Sequence, residues 1–275
     1  MRISQITHNL TYVPIHITLR FNEAEMGVGT AFFYTAGNKD YLITNWHNVS
    51  GRRPWDKKVN SERGAIPDNL VVRIPYDEQL QDGVIARKWL PKVLKLYEDD
   101  EHYRPIWWEH PNHRFTIDAV AMELAELATT KAVPANAESL ALDKLSLTPG
   151  MDVFVLGYPR GISGGGRFPL WKRGSIASEP DVNIDNLPKM YIDTATREGM
   201  SGAPVYAQEV GFWAPEGKKF PDEGVFGKGH RFIGIYSGRV GNDPFLAQLG
   251  IVWKEEAIQE IIAAAHPGTS SFQLS

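Results

Sequence analysis

Short β-type runs recur along the whole chain, each closed by turn residues, and this constrains the fold more than any other feature. The clearest are Tyr12–Leu19, Thr30–Tyr34, Tyr41–Thr44, Leu70–Ile74, Val153–Leu156, Met190–Asp193, Pro204–Ala207, Arg231–Tyr236 and Leu249–Trp253. Helical periodicity is scarce. One stretch, Lys254–Ala265, sets Ala257, Ile258, Ile261, Ile262 and Ala265 on a single apolar stripe, and Pro267-Gly268 then stops it. Many strands with one terminal helix predict an all-β barrel or sandwich protein.

The chain of 275 residues is long enough for two small barrels sharing an interface. The predicted division is a first barrel over 1–130, a linker over 131–149, a second barrel over 150–253, the helix over 254–265 and a tail over 266–275. The linker, within TTKAVPANAESLALDKLSLTPG, ends in a Pro-Gly turn. Two polar inserts, Gly51–Asn69 and Gln208–His230, interrupt the strand pattern. There is no internal repeat.

Net charge of -4 and a pI of about 6.1 build no polyanion-binding surface, so no nucleic-acid partner is expected. No stretch approaches the roughly 18 apolar residues that a spanning helix requires, so no membrane partner is expected either. The chain has no cysteine, which excludes disulfides, thiolate metal sites and a cysteine nucleophile together. The N-terminal MRISQITHNLTYVPIHITLRF has no apolar h-region and no small-residue cleavage site. A cytoplasmic location is the expectation.

Three segments carry the chemistry. GVGTAFFYTAGNKDYLITNWHNVS delivers His47 after a strand pair, FTIDAVAMEL sets Asp118 at the start of an apolar strand, and TREGMSGAPVY holds Ser201 in a glycine-flanked turn. A serine hydroxyl is a poor nucleophile until a base takes its proton. An imidazole does this near neutral pH, and a buried carboxylate keeps that imidazole in the useful tautomer. Glycines beside the serine let backbone N–H groups aim at a developing oxyanion.

These segments resemble those of trypsin/chymotrypsin-like serine peptidases, especially cysteine-free bacterial members. Gly27–Phe32, Leu42–Asn45 with His47, Asp118–Ala121, Gly150–Pro159, Arg173–Ile176, Gly234–Ser237 and Gly250–Val252 follow in the family's order. The resemblance implies a chymotrypsin-like double β-barrel with a C-terminal helix, and serine endopeptidase activity needing no cofactor. It implies His47 as general base, Asp118 as its orienting carboxylate, Ser201 as nucleophile, and the N–H groups of Gly199 and Ser201 as an oxyanion hole. It also implies a substrate pocket walled by Ala195, Thr196, Arg197, Glu198, Tyr236, Ser237, Gly238, Arg239 and Gly250.

No carboxylate stands at Ala195, so cleavage after Lys or Arg is not expected; Gly238 and Gly250 leave room for a side chain, and an acidic residue, favoured by Arg239, and an uncharged or small one are equal alternatives. Met200 stands where digestive relatives keep an aspartate that pairs with a newly cut N-terminus, so activation by that route is not expected. The expected partner is a protein or peptide substrate, with a regulatory protein as a further candidate.

Competing readings are weaker. An α/β-hydrolase elbow needs a glycine two residues after the serine and then a helix, whereas Ala203 and Pro204 lead into β-type residues. Glu109, His110 and His113 lack the helical spacing of a zinc motif and read as loop residues; no metal is expected. GISGGG at 161–166 precedes a strand, so no helix N-terminus is available there for a phosphate. A double barrel that binds peptides by β-addition without cutting them is the alternative from another functional class.

Overall fold

The computed structural model describes residues 6–62, 64–80, 83–124, 131–140, 142–195, 197–219, 221–240 and 248–274. The first half contributes β1 (Pro14–Phe21), β2 (Ala24–Ala36), β3 (Lys39–Thr44), the short helix α1 (Trp46–Ser50), β4 (Asn69–Gln79), β5 (Ile85–Lys95), β6 (Trp108–Glu109) and β7 (Val120–Glu123). The second half contributes β8 (Asp152–Gly157), β9 (Leu170–Ile176), β10 (Lys189–Asp193), β11 (Pro204–Trp213), β12 (Val225–Arg239), β13 (Leu249–Lys254), helix α2 (Glu255–Ala264) and β14 (His266–Pro267). Among the described residues these strands form an eight-stranded sheet, ordered β14-β6-β7-β3-β2-β1-β4-β5, and a closed barrel, ordered β10-β13-β12-β11-β8-β9. The architecture is the expected all-β one with a C-terminal helix.

Strands at the centre are apolar on both faces, because each face meets a different core. On β2 and β3, Ala31, Phe33 and Leu42 turn inward with Ile15, Ile17, Leu70 and Val72. The alternate residues Phe32, Tyr34 and Ile43 turn toward the second half and meet Tyr206, Phe232 and the helix residues Ala257, Ile258, Ile261 and Ile262. A third cluster, with Val153, Val155, Ile192, Val205 and Val252, fills the closed barrel. The period-2 alternation of a strand thus serves the inside of one sheet and the junction between the two halves.

Several boundaries differ from the sequence expectation. Tyr12 lies in a 3-10 turn over Asn9–Tyr12, and Pro14 opens β1. Lys254 is the N-cap of α2, and Ala265 closes it in the left-handed conformation at φ 47°. The insert Gln208–His230 extends a hairpin: Gln208 pairs with His230 and Trp213 with Val225. In the segment expected as a linker, Ala135, Leu140 and Leu145 are buried, and Tyr206 donates to the Ala135 carbonyl at 2.9 Å. The terminal stretch also pairs, His266 with Glu109 and Pro267 with Trp108.

Candidate active site

His47 sits on α1, one turn of helix that begins after Asn45 and ends at Gly51, which adopts φ 65°. The Gly51 N–H donates to the His47 carbonyl at 3.0 Å. A β-carbon at Gly51 would lie 2.4 Å from Pro67 Cδ, so both the backbone angle and the close approach demand glycine. Trp46 and Val49 are completely buried and pin one face of the turn, leaving His47 half-buried on the other.

Asp118, which precedes β7, is only 2% exposed. Its Oδ1 accepts the His47 backbone N–H at 2.9 Å and its Oδ2 lies 2.7 Å from His47 Nδ1. A carboxylate only accepts, so in the neutral ring the proton is on Nδ1 and Nε2 carries the lone pair. The Ser237 hydroxyl donates to the same Oδ2 at 2.5 Å, and Asn45 Nδ2 donates to the Asp118 carbonyl at 2.6 Å. A buried carboxylate with this many donors is held in one orientation.

Ser201 lies in a turn between Gly199 (φ 88°) and Gly202 (φ 86°), with Met200 buried in the barrel core beneath it. The Ser201 carbonyl accepts the Thr30 N–H at 2.9 Å and Asn48 Nδ2 at 3.2 Å, while the Gly202 N–H donates to the Tyr236 carbonyl at 2.9 Å. Asn48 follows His47 directly on α1, so the histidine turn grips the serine turn from across the junction. Among the described residues no hydrogen bond joins the Ser201 hydroxyl to the His47 ring; such bonds are often long until substrate binds.

The N–H of Arg160 donates to the Glu198 carbonyl at 2.6 Å. In a trans peptide the C=O and N–H point in opposite directions, so this bond turns the Gly199 N–H away from Arg160. Met200 N–H is taken by the Arg197 carbonyl at 3.2 Å, whereas no backbone carbonyl among the described residues engages the N–H of Gly199 or Ser201.

Of the residues expected to wall a pocket, Gly250 has no open space above it. A β-carbon on Gly250 would lie 2.6 Å from Tyr236 Cε2, and Tyr236 is 1% exposed. The space above Gly250 is therefore taken by the Tyr236 ring and is not open to a substrate side chain. Gly238 faces open space, and Ala195, Arg197, Glu198 and Arg239 are exposed, with Ser237 half-buried. Thr196 lies outside the described residues.

Glu109, His110 and His113 have structural partners. Glu109 Oε1 accepts from the indole N–H groups of Trp46 at 3.1 Å and Trp107 at 3.2 Å, and His110 Nε2 bonds Glu260 Oε2 at 2.5 Å. The His113 N–H donates to His110 Nδ1 at 3.2 Å. Among the described residues no cluster of three His, Cys, Asp or Glu side chains is placed to hold a metal ion. No helix among them is long and apolar enough to cross a membrane.

The sequence matches the model of the trypsin-like peptidase domain over residues 29–211. The chain belongs to this family. The match covers the segments that bear His47, Asp118 and Ser201. Among solved structures, the chain is similar to the inactive form of the Rv3671c protease of M. tuberculosis, at 18% identity over 92% of this chain and 89% of that one, with a TM-score of 0.44. It is also similar to a serine endoprotease from Yersinia pestis, at 13% identity over 94% of this chain and 66% of that one, with a TM-score of 0.47. The HtrA-type protease AlgW with a decapeptide gives 13% identity over 94% and 65%, with a TM-score of 0.49. The chain spans less than two thirds of the length of these last two. No curated protein matches it.

Proposed function

We propose that this family member is a serine endopeptidase acting through Ser201, His47 and Asp118. The observation that carries the reading is the Asp118 carboxylate, which takes both the backbone N–H and the Nδ1 proton of His47 and so leaves Nε2 basic. In the proposed reaction Ser201 Oγ attacks the scissile carbonyl as its proton passes to Nε2. The N–H groups of Gly199 and Ser201 receive the oxyanion. Collapse expels the amine, which takes the proton from His47, and water repeats the sequence on the acyl-enzyme to release the acid.

The side chain before the cut is proposed to be small or acidic. Ala195 supplies no carboxylate for a basic residue, Tyr236 shortens the pocket at Gly250, and Arg239 is exposed at its rim. A buried Met200 in place of an activating carboxylate suits an enzyme that needs no N-terminal cut and acts on a restricted protein substrate, under a partner's control.

A silent peptide-binding module is the second reading, favoured by the missing Ser201–His47 hydrogen bond. A fluorophosphonate probe separates the two. Labelling that disappears in Ser201→Ala and His47→Ala supports the peptidase, and a protein that is never labelled and cuts no peptide supports the module. A fluorogenic peptide panel varying the residue before the cut then tests the pocket, where strong preference for Lys or Arg would refute it.

A further inference from the structure

The helix that bears His47 is five residues long, and a single turn has too few hydrogen bonds of its own to hold its shape in water. Its orientation must come from what it packs against, and part of that is the segment Gly268–Leu274. At the N-terminal end of the turn, the Trp46 indole N–H donates to Glu109 Oε1 at 3.1 Å, and the same oxygen accepts the Thr269 N–H at 2.9 Å. Glu109 is completely buried, and its remaining charge is met by Arg114 Nε 3.1 Å from Oε2. Arg114 in turn donates to Thr269 Oγ1 at 2.7 Å. At the C-terminal end, the Ser271 hydroxyl donates to the Ser50 carbonyl at 2.6 Å.

Arg52, two residues beyond the turn, closes the clamp. Its Nε reaches the Ser271 carbonyl at 3.1 Å and hydroxyl at 3.0 Å, and its Nη2 reaches the Leu274 carbonyl at 2.6 Å. The strap is seated deeply: Ser270 and Ser271 are at most 1% exposed, and Gly268 lies so flat on Trp107 that a β-carbon would come within 2.4 Å of its indole nitrogen. Phe272 stacks on His102 at 4.6 Å. Ser50, which ends the His47 turn, is thus bonded directly to one stretch, Gly268–Leu274, more than 200 positions away in the chain, and Trp46, which begins it, is joined to that stretch through Glu109.

We propose that this strap is a positioning element for His47: seated, it sets the angle at which the imidazole faces Ser201, and loosened, it lets the turn rotate while the two cores remain intact. The inference rests on the peptidase reading. A displacement on the order of 1 Å in a catalytic group can cost about a hundredfold in rate, so a partial release reads out in turnover before it reads out in folding.

The experiment uses the full chain, with Ser271→Ala removing the bond to Ser50 and Arg52→Lys removing the fork while keeping its charge. The measurements are kcat and KM on a cleaved peptide, the rate of fluorophosphonate labelling, and the low-field proton resonance of His47 Nδ1–H. The expected result is a fall of about tenfold in kcat and labelling rate, KM within about twofold, and a broadened or lost Nδ1 resonance, in proteins whose amide spectra remain folded. Arg52→Lys, the milder change, carries the test should Ser271→Ala fail to fold. Wild-type kcat and an unaltered resonance in the folded variants overturn the strap while leaving the peptidase standing. A wild-type protein that is neither labelled nor active overturns both.

Discussion

Ser237, on β12 of the barrel, donates its hydroxyl to Oδ2 of Asp118, which precedes β7 of the other sheet, at 2.5 Å. The same oxygen holds His47 Nδ1 at 2.7 Å. One carboxylate oxygen is thus shared by two donors from opposite halves of the molecule, and the orientation of the imidazole depends on how those halves are docked.

Ser237→Ala removes a hydrogen bond to a charged, buried acceptor, a contact worth about 1.5–3 kcal/mol. Turnover on a cleaved peptide is expected to fall roughly ten- to a hundredfold. Asp118 keeps its bonds from His47, so the protein should stay folded, with a urea unfolding midpoint lowered by the equivalent of about 1–3 kcal/mol. A kcat/KM equal to that of the wild type would show that His47 alone orients the carboxylate.

Asp118→Asn keeps the shape but offers an amide that can donate to His47 Nδ1, which reverses the tautomer and places the proton on Nε2. Turnover is expected to drop by about 10⁴-fold, with stability little changed. The check is kcat together with circular dichroism. Ser201→Ala should lose fluorophosphonate labelling entirely.

Gly202→Ala should be among the most damaging single changes in the molecule. The added carbon would lie 1.9 Å from the Thr30 carbonyl oxygen, and the residue sits at φ 86°. The expected loss exceeds about 4 kcal/mol, or the protein fails to fold. Gly27→Ala, with no atom within 4 Å of the new carbon, is the control and should change stability by about 1 kcal/mol or less. Urea denaturation of the pair gives the comparison.

Stability should fall on mild acidification. Burial, with the charges of Arg73 and Arg167 nearby, lowers the pKa of His16 to about 4, and burial with His8 and Lys228 nearby lowers that of His230 to about 4. Both stay neutral in the folded chain while the unfolded chain protonates them near the ordinary 6.5. The unfolded state therefore binds more protons across this window, so their stabilising contribution, complete above about pH 6.5, is lost as pH falls toward 4. Urea midpoints measured from pH 7.5 to 4.5 should decline, and His16→Phe should flatten part of that decline. A midpoint independent of pH in both proteins would contradict this.

Much of this molecule is legible one segment at a time. Apolar alternation located nine strands, because a residue facing a core must be apolar whatever sheet it joins. Glycines beside Ser201 and a carboxylate before an apolar strand are local signals; in the fold Asp118 bonds His47, and Asn48 beside it bonds the Ser201 carbonyl. The strand Ile85–Lys95 carries no such signal, since Arg87, Lys88, Pro91 and Lys92 break its alternation; among the described residues it lies at the sheet edge and pairs with β4. The ribbon within Gln208–His230 lacks the signal for the same reason, its glycines and charges belonging to paired strand residues as readily as to a loop.

Local sequence, then, determined which residues can form strands, turns and a glycine-flanked serine, because those properties depend on neighbours a few positions apart. Tertiary structure alone decided that the Tyr236 ring fills the space over Gly250, and that Ser271 and Arg52 meet beside the His47 turn. Such contacts join residues that share no local pattern. Their geometry is set by the docking of two packed cores, and no stretch of a single strand contains it.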